Sequence, residues 1–235
     1  MHIAIISDIH GNYRALLAVL AEFSKYKIDR LVILGDIIGY YSGALQVMEL
    51  LKSLNIDIKT VLGNHEVMLQ KAEGGSLDWS WVAHKYGPAL KRASDELSSE
   101  DKEWLYSLPQ EIVINTDIGS VLLTHAPGGP EGSYVYPDQE RGGISEVFNS
   151  YLKYDIVLYG HTHRSMLVSI DKTQIINPGS IGQSRDRSGL ADWSILNTDN
   201  GVIRFMATPY DVAALITELE NDQESMPYLL EVLRR

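Results

Sequence analysis

Apolar positions in this chain come in blocks. Ile3 to Ile6 is an aliphatic run closed by Ser7-Asp8, and Leu31 to Leu34 is a second, closed by Gly35-Asp36. A third run, about 56–62, closes at Gly63-Asn64-His65-Glu66. Short continuous apolar runs predict strands buried on both faces. Between them the spacing turns helical. Leu16, Leu17, Val19, Leu20 and Phe23 form a stripe behind Asn12, which is read as an N-cap. Leu45, Val47, Met48, Leu50 and Leu51 form another stripe over about 43–53. Strand, helix, strand, helix, strand predicts right-handed crossovers and a mainly parallel sheet.

The texture then changes. Residues 66–108 show helical spacing and no strand, with Trp79, Trp81, Val82, Tyr86 and Leu90 in one group and Leu97, Trp104, Leu105 and Leu108 in another. Ser98 or Ser99 is the cap and Pro109 the stop, so the segment reads as a helical insert. Strands return at 111–115 and 120–123, joined as a hairpin, and the second ends at His125. The Gly- and Pro-rich loop 126–143 is expected to face substrate, because loops of this length are usually either functional or disordered. A strand at 155–159 ends at Gly160-His161-Thr162-His163. Strands also fit 166–170, 174–176, 193–196 and 202–206, before a helix capped by Asp211 and a last one after Pro227. The chain is read as one domain over 1–235.

Composition narrows the chemistry. There is no cysteine, which removes disulfides, thiolate ligands and a cysteine nucleophile. The net charge of −11 disfavours nucleic acid and anionic membrane as partners. No signal peptide is seen, and no apolar run approaches the roughly 20 residues that span a bilayer. A cytoplasmic location is expected.

The polar residues at the carboxyl ends of the apolar strands are Asp8 and His10, Asp36, Asn64 and His65, His125, then His161 and His163. Ligand sites form along that edge of parallel sheets. Five of the seven histidines fall there; His2 and His84 are read as structural. Imidazoles and carboxylates without sulfur suit Mn, Fe, Zn, Co or Ni better than Mg or Ca. The set is too large for one ion and fits two if one carboxylate bridges. Two cations about 3.5–4 Å apart form the clamp used for in-line displacement at phosphorus, a bridging hydroxide being the nucleophile.

Asp8-Ile9-His10-Gly11-Asn12, Gly35-Asp36, Gly63-Asn64-His65-Glu66, Thr124-His125-Ala126 and Gly160-His161-Thr162-His163 together resemble the motifs of the calcineurin-like metallophosphoesterases. Asn177-Pro178-Gly179-Ser180, Gly182-Gln183 and the closing strands look like the smaller bacterial and archaeal phosphodiesterase-type branch. The resemblance implies a four-layer α/β/β/α sandwich of two mixed sheets flanked by helices, with the late strands extending the second sheet. It implies that Asp8, His10 and His163 hold one metal, that Asn64, His125 and His161 hold the other, and that Asp36 bridges. His65 would stay unligated near the leaving-group oxygen, with Glu66 orienting it through its other nitrogen. Among Arg14, Arg141, Arg185 and Arg187, Arg14 is read as a surface residue and Arg185 as the better phosphate contact. The activity implied is hydrolysis of a phosphodiester or phosphomonoester of a small molecule. A nucleotide-specific hydrolase acting on dinucleoside polyphosphates or cyclic nucleotides, with Tyr134, Tyr136 and the insert's tryptophans stacking a base, is the alternative within hydrolases. A non-catalytic scaffold of the same fold is the alternative outside them.

Overall fold

The computed structural model describes residues 1–222 and 226–234. The first aliphatic run forms β1 (His2–Ile6), followed by α1 (Tyr13–Tyr26), β2 (Arg30–Ile33), α2 (Ala44–Ser53) and β3 (Asp57–Thr60). The three strands are parallel neighbours. Asn12 caps α1 as expected: its Oδ1 accepts from the Ala15 N–H at 3.1 Å, while its Nδ2 donates to the Gly182 carbonyl at 3.0 Å.

The helical segment comprises α3 (Asn64–Glu73), α4 (Trp79–Tyr86), α5 (Ala89–Glu96) and α6 (Ser99–Tyr106). Ser98 is the cap of α6, accepting from the Asp101 N–H at 3.1 Å. The segment shares a core with the first sheet, since Leu69, Val82, Leu90 and Leu105 lie in the cluster that holds Ile6, Leu16 and Ile33. β4 (Glu111–Thr116) and β5 (Gly119–Thr124) are the predicted hairpin. After an irregular stretch come α7 (Arg141–Val147), a 3₁₀ turn at Asn149–Tyr151 and β6 (Ile156–Leu158). The chain continues through β7 (Ser165–Ile170), β8 (Thr173–Pro178), β9 (Leu190–Asn197), β10 (Ile203–Pro209), α8 (Val212–Asn221) and α9 (Pro227–Leu233).

One sheet has the order β10-β9-β1-β2-β3 and the other β4-β5-β6-β8-β7. This corrects the expectation that all the late strands extend the second sheet. Only β7 and β8 do. β9 lies antiparallel to β1 and carries β10 with it. The reason is on β9 itself, buried from Ala191 to Leu196, which needs cover on both faces and a central position.

The alternation along β1 shows the layering. Ile3 and Ile5 face the second sheet with Val32, Val121 and Leu158. Ala4 and Ile6 face α1 and α2. On the far side Leu122, Val157 and Ile175 pack under Phe148, Tyr151 and Val135. The result is the expected four layers, with α8 and α9 covering Tyr41 at one end. Among the described residues no helix is long and apolar enough to cross a membrane.

Candidate metal centre

The parallel strands of both sheets deliver their carboxyl ends to one place. Backbone hydrogen bonds then tie the emerging loops together: Asp8 N–H donates to Gly35 O at 3.2 Å, His10 N–H to Asp36 O at 2.9 Å, and Gly160 N–H to His125 O at 2.9 Å. The two sheets meet through the His161 N–H, which donates to Asp8 Oδ2 at 3.1 Å.

In the first group, His10 Nδ1 faces the Ile38 carbonyl at 3.3 Å and His163 Nδ1 faces the Gln183 carbonyl at 3.0 Å. A carbonyl only accepts, so each Nδ1 carries the proton and each Nε2 presents a lone pair. Those two Nε2 atoms are 2.9 Å apart. Asp8 Oδ1 is 3.3 Å from His163 Nε2 and has no hydrogen-bond donor. In the second group, His125 Nδ1 faces the Leu34 carbonyl at 2.6 Å. Its Nε2 is 3.0 Å from Asn64 Oδ1 and 3.1 Å from His161 Nδ1. Asp36 Oδ2 stands between the groups, 3.6 Å from His10 Nε2 and 3.5 Å from His125 Nε2.

Such convergence of buried acceptors without donors costs several kcal/mol unless a cation lies among them. Asp8 with His10 and His163, and Asp36 with His125 and His161, each have the spacing to hold a metal ion. A third such group joins His65 to His10 and Asp36. Burial and the uncompensated carboxylates pull the histidines in opposite directions. Although burial opposes it, the Asp36 charge pushes His125 up to about 9. Burial drives His10 far down and takes His161 to about 4.

His65 is buried, with Nδ1 unpartnered, and its ring meets those of His10, Tyr40 and Tyr86 at 4.5, 5.0 and 5.1 Å. Glu66 does not orient it, contrary to expectation. The Glu66 carboxylate instead accepts from the N–H groups of Gly63 and Asp36, both at 3.0 Å, Ile37 at 2.9 Å and Ile38 at 3.2 Å. Burial and the Asp36 charge push its carboxyl up to about 7, against the pull of those donors. Glu66 is the third residue of α3 and reaches back to the N-cap, which is half of a capping box. That spacing was present in the sequence and pointed to this role.

The arginines separate clearly. Arg14 pairs with Glu218, Arg187 with Asp192, and Arg141 donates to the Ser169 carbonyl. Arg185 donates to the Thr162 carbonyl at 3.5 Å, and its charge reaches Tyr40 and Tyr134 beside the site. Tyr40, edge-on to His10 at 4.7 Å, carried no signal in the sequence. His2 is structural, its Nδ1 2.9 Å from the Tyr26 carbonyl. A cavity of about 530 Å³ between α2, β3 and α6 is lined by Met48, Leu51 and Trp104 and holds none of these ligand groups. A smaller one of about 250 Å³ opens on Asn64 and His161.

Fold and site together place a cluster of Asp and His residues with metal-binding spacing at the strand ends of an α/β sandwich. The model of the calcineurin-like phosphoesterase superfamily domain matches residues 1–201, and the chain belongs to that family. It is 33% identical over 228 residues to an uncharacterized protein of Methanocaldococcus jannaschii, covering 89% of this chain and 88% of that one. A metallophosphoesterase from Sphaerobacter thermophilus superposes with a TM-score of 0.75 at 27% identity, covering 100% and 98% of the two chains. A hypothetical protein from Pyrococcus horikoshii reaches a TM-score of 0.86 at 19% identity, over 99% and 97%.

Proposed function

We propose that the chain is a metal-dependent hydrolase with a two-ion centre, acting on a phosphodiester or phosphomonoester of a small molecule. Asp8, His10 and His163 would hold one ion and Asn64, His125 and His161 the other, with Asp36, which stands between the two groups, shared by both. The observation that carries this reading is the pair of Nε2 lone pairs of His10 and His163, 2.9 Å apart with no donor between them. Bound divalent cations supply an activated water and stabilise charge on phosphoryl oxygens. The sulfur-free ligand set favours Mn, Fe, Zn, Co or Ni, with manganese the first to test.

The chain's own residues do the rest. The carbonyls of Ile38, Gln183 and Leu34 keep each ligating lone pair turned inward. Glu66 fixes the loop of Asp36, and the His65 N–H donates to Asp36 Oδ1 at 2.9 Å. Burial pushes the His65 imidazole down to about 4. At neutral pH it is therefore uncharged and serves the leaving-group oxygen through one N–H. Arg185 supplies a guanidinium for the phosphate.

The test is hydrolysis of p-nitrophenyl phosphate and bis(p-nitrophenyl) phosphate by manganese-loaded protein, together with its metal content. Asp36→Ala is expected to lower kcat/KM at least about 100-fold and metal content below about two ions per chain. Equal rates for Asp36→Ala and wild type would sink the proposal.

A further inference from the structure

We infer that the site includes a stacking subsite for one planar ring system, and that the substrate is a nucleoside phosphoester whose base enters it. This rests on the phosphoesterase reading for the phosphate end alone. The cavity of about 250 Å³ beside the metal cluster has Asn64 and His161 in its wall; Met68, Trp81, Tyr86 and Tyr134 line it further out, and Lys71, Lys85 and Glu131 are its charged groups. It therefore begins at atoms of the ligand cluster and runs outward between α4 and the irregular stretch that carries Tyr134.

Two of these rings are exposed where rings usually are not. Trp81 is 45% exposed and Tyr134 is 50% exposed, although they come from separate elements and line the same space. Lack of a core does not explain it. Trp193 is fully buried, and Trp79 packs against the same cluster as α3 and α5. Trp81 and Tyr134 are thus not spent on the core. Tyr134 already stacks on His161, at 3.9 Å and 29°, and lies nearly parallel to Tyr136 at 13°.

Charge favours an anionic ligand with an aromatic body. Lys85 Nζ sits 5.0 Å over Trp81 and 5.1 Å over Tyr86, and it forms no ion pair among the described residues. Lys71, two turns along α3 from Asn64, bridges to Glu131 at 2.6 Å and ties the irregular stretch to the helix. In a chain of net charge −11, Lys85 is the cation this wall offers to a ligand, since Lys71 is matched by Glu131. Pockets for drug-sized ligands run roughly 300–1,000 Å³. One of about 250 Å³ is of a size for a single planar base. Stacking is tolerant of base identity, so all four bases are accepted.

The experiment uses metal-loaded protein, a non-hydrolysable phosphonate of AMP and the same phosphonate without its base, with tryptophan fluorescence and calorimetry as readouts. The base-bearing ligand is expected to bind about tenfold tighter. Trp81→Ala and Tyr134→Ala should each cut that ratio severalfold, and Trp81→Phe should restore most of it. Equal binding of the two ligands to wild type, or a ratio that survives both alanine substitutions, overturns the subsite. Turnover of phosphoesters is scored separately. Base-selective binding without any turnover would leave the subsite standing and remove the phosphoesterase reading. Turnover without base selectivity would do the reverse.

Discussion

Seven non-glycine residues among those described have positive φ, and five of them are Asp8, His10, Asp36, His161 and His163. Such conformations cost about 1–3 kcal/mol each for ordinary side chains. The cost is tolerable because a fully buried aliphatic side chain contributes about 1.5–3 kcal/mol and the strands beneath are built of them. The candidate cluster was legible at this scale because its Asp and His residues stand at strand ends. The left-handed turns were not, since nothing in Asp or His demands that conformation. Gly39 was equally silent. A Cβ there would stand 2.7 Å from His10 Nδ1 and overlap His65 Nδ1, at φ +138°. Gly39→Ala is predicted to destabilise the protein by about 1–3 kcal/mol and to lower activity. Urea denaturation checks this, and a midpoint equal to wild type would contradict it.

Elements act on the site through register. β5 and β6 pair in parallel, Val121 opposite Ile156, and their ends carry His125 and His161. A slip of one residue would turn both strands inside out. Asp155, just before β6, pins the register: its Oδ2 accepts from the Ser120 N–H at 2.7 Å and the Ser120 hydroxyl at 2.8 Å. Those hydrogen bonds hold its carboxyl below the ordinary value of 3.8. A depressed folded-state pKa means stability that is present above the unfolded value and lost as pH falls through the folded one. The melting temperature of wild type should therefore exceed that of Asp155→Asn near pH 6, and the gap should close in acid below the ordinary carboxylate value. A gap independent of pH would refute the clamp. Element types read well from sequence because the apolar runs are short and unbroken. The sheet assignment of β9 and β10 did not, because a strand's pattern reports how buried it is and not which partner buries it.

The whole molecule is three apolar layers with one polar rim where the strands end. The four-layer arrangement was legible only through the family motifs. Local periodicity gives faces, whereas stacking two sheets depends on contacts such as Ile5 with Leu158 that no window of sequence contains. Because the acceptor cluster is buried and shared between the sheets, a cation bound there would join the two halves of the sandwich. Anything that binds only the folded state stabilises it. Chelation is predicted to lower the melting temperature by several degrees, and restoring manganese to reverse the change. A melting temperature indifferent to chelator would count against a cation in this cluster.

The position of β1 has a consequence for how the molecule comes into being. It is made first, yet its two neighbours in the sheet are β2 and the much later β9. During synthesis one edge of this aliphatic strand stays open until Leu190–Asn197 has left the ribosome. An open, flat, apolar edge is a template for unwanted pairing with other chains. The step that closes it brings in strand Leu190–Asn197, after Asp8 and His163 are both already made. Protection of the nascent chain from aggregation is thus deferred to β9, and a chain cut short before it would carry every residue of the candidate cluster on an unfinished sheet.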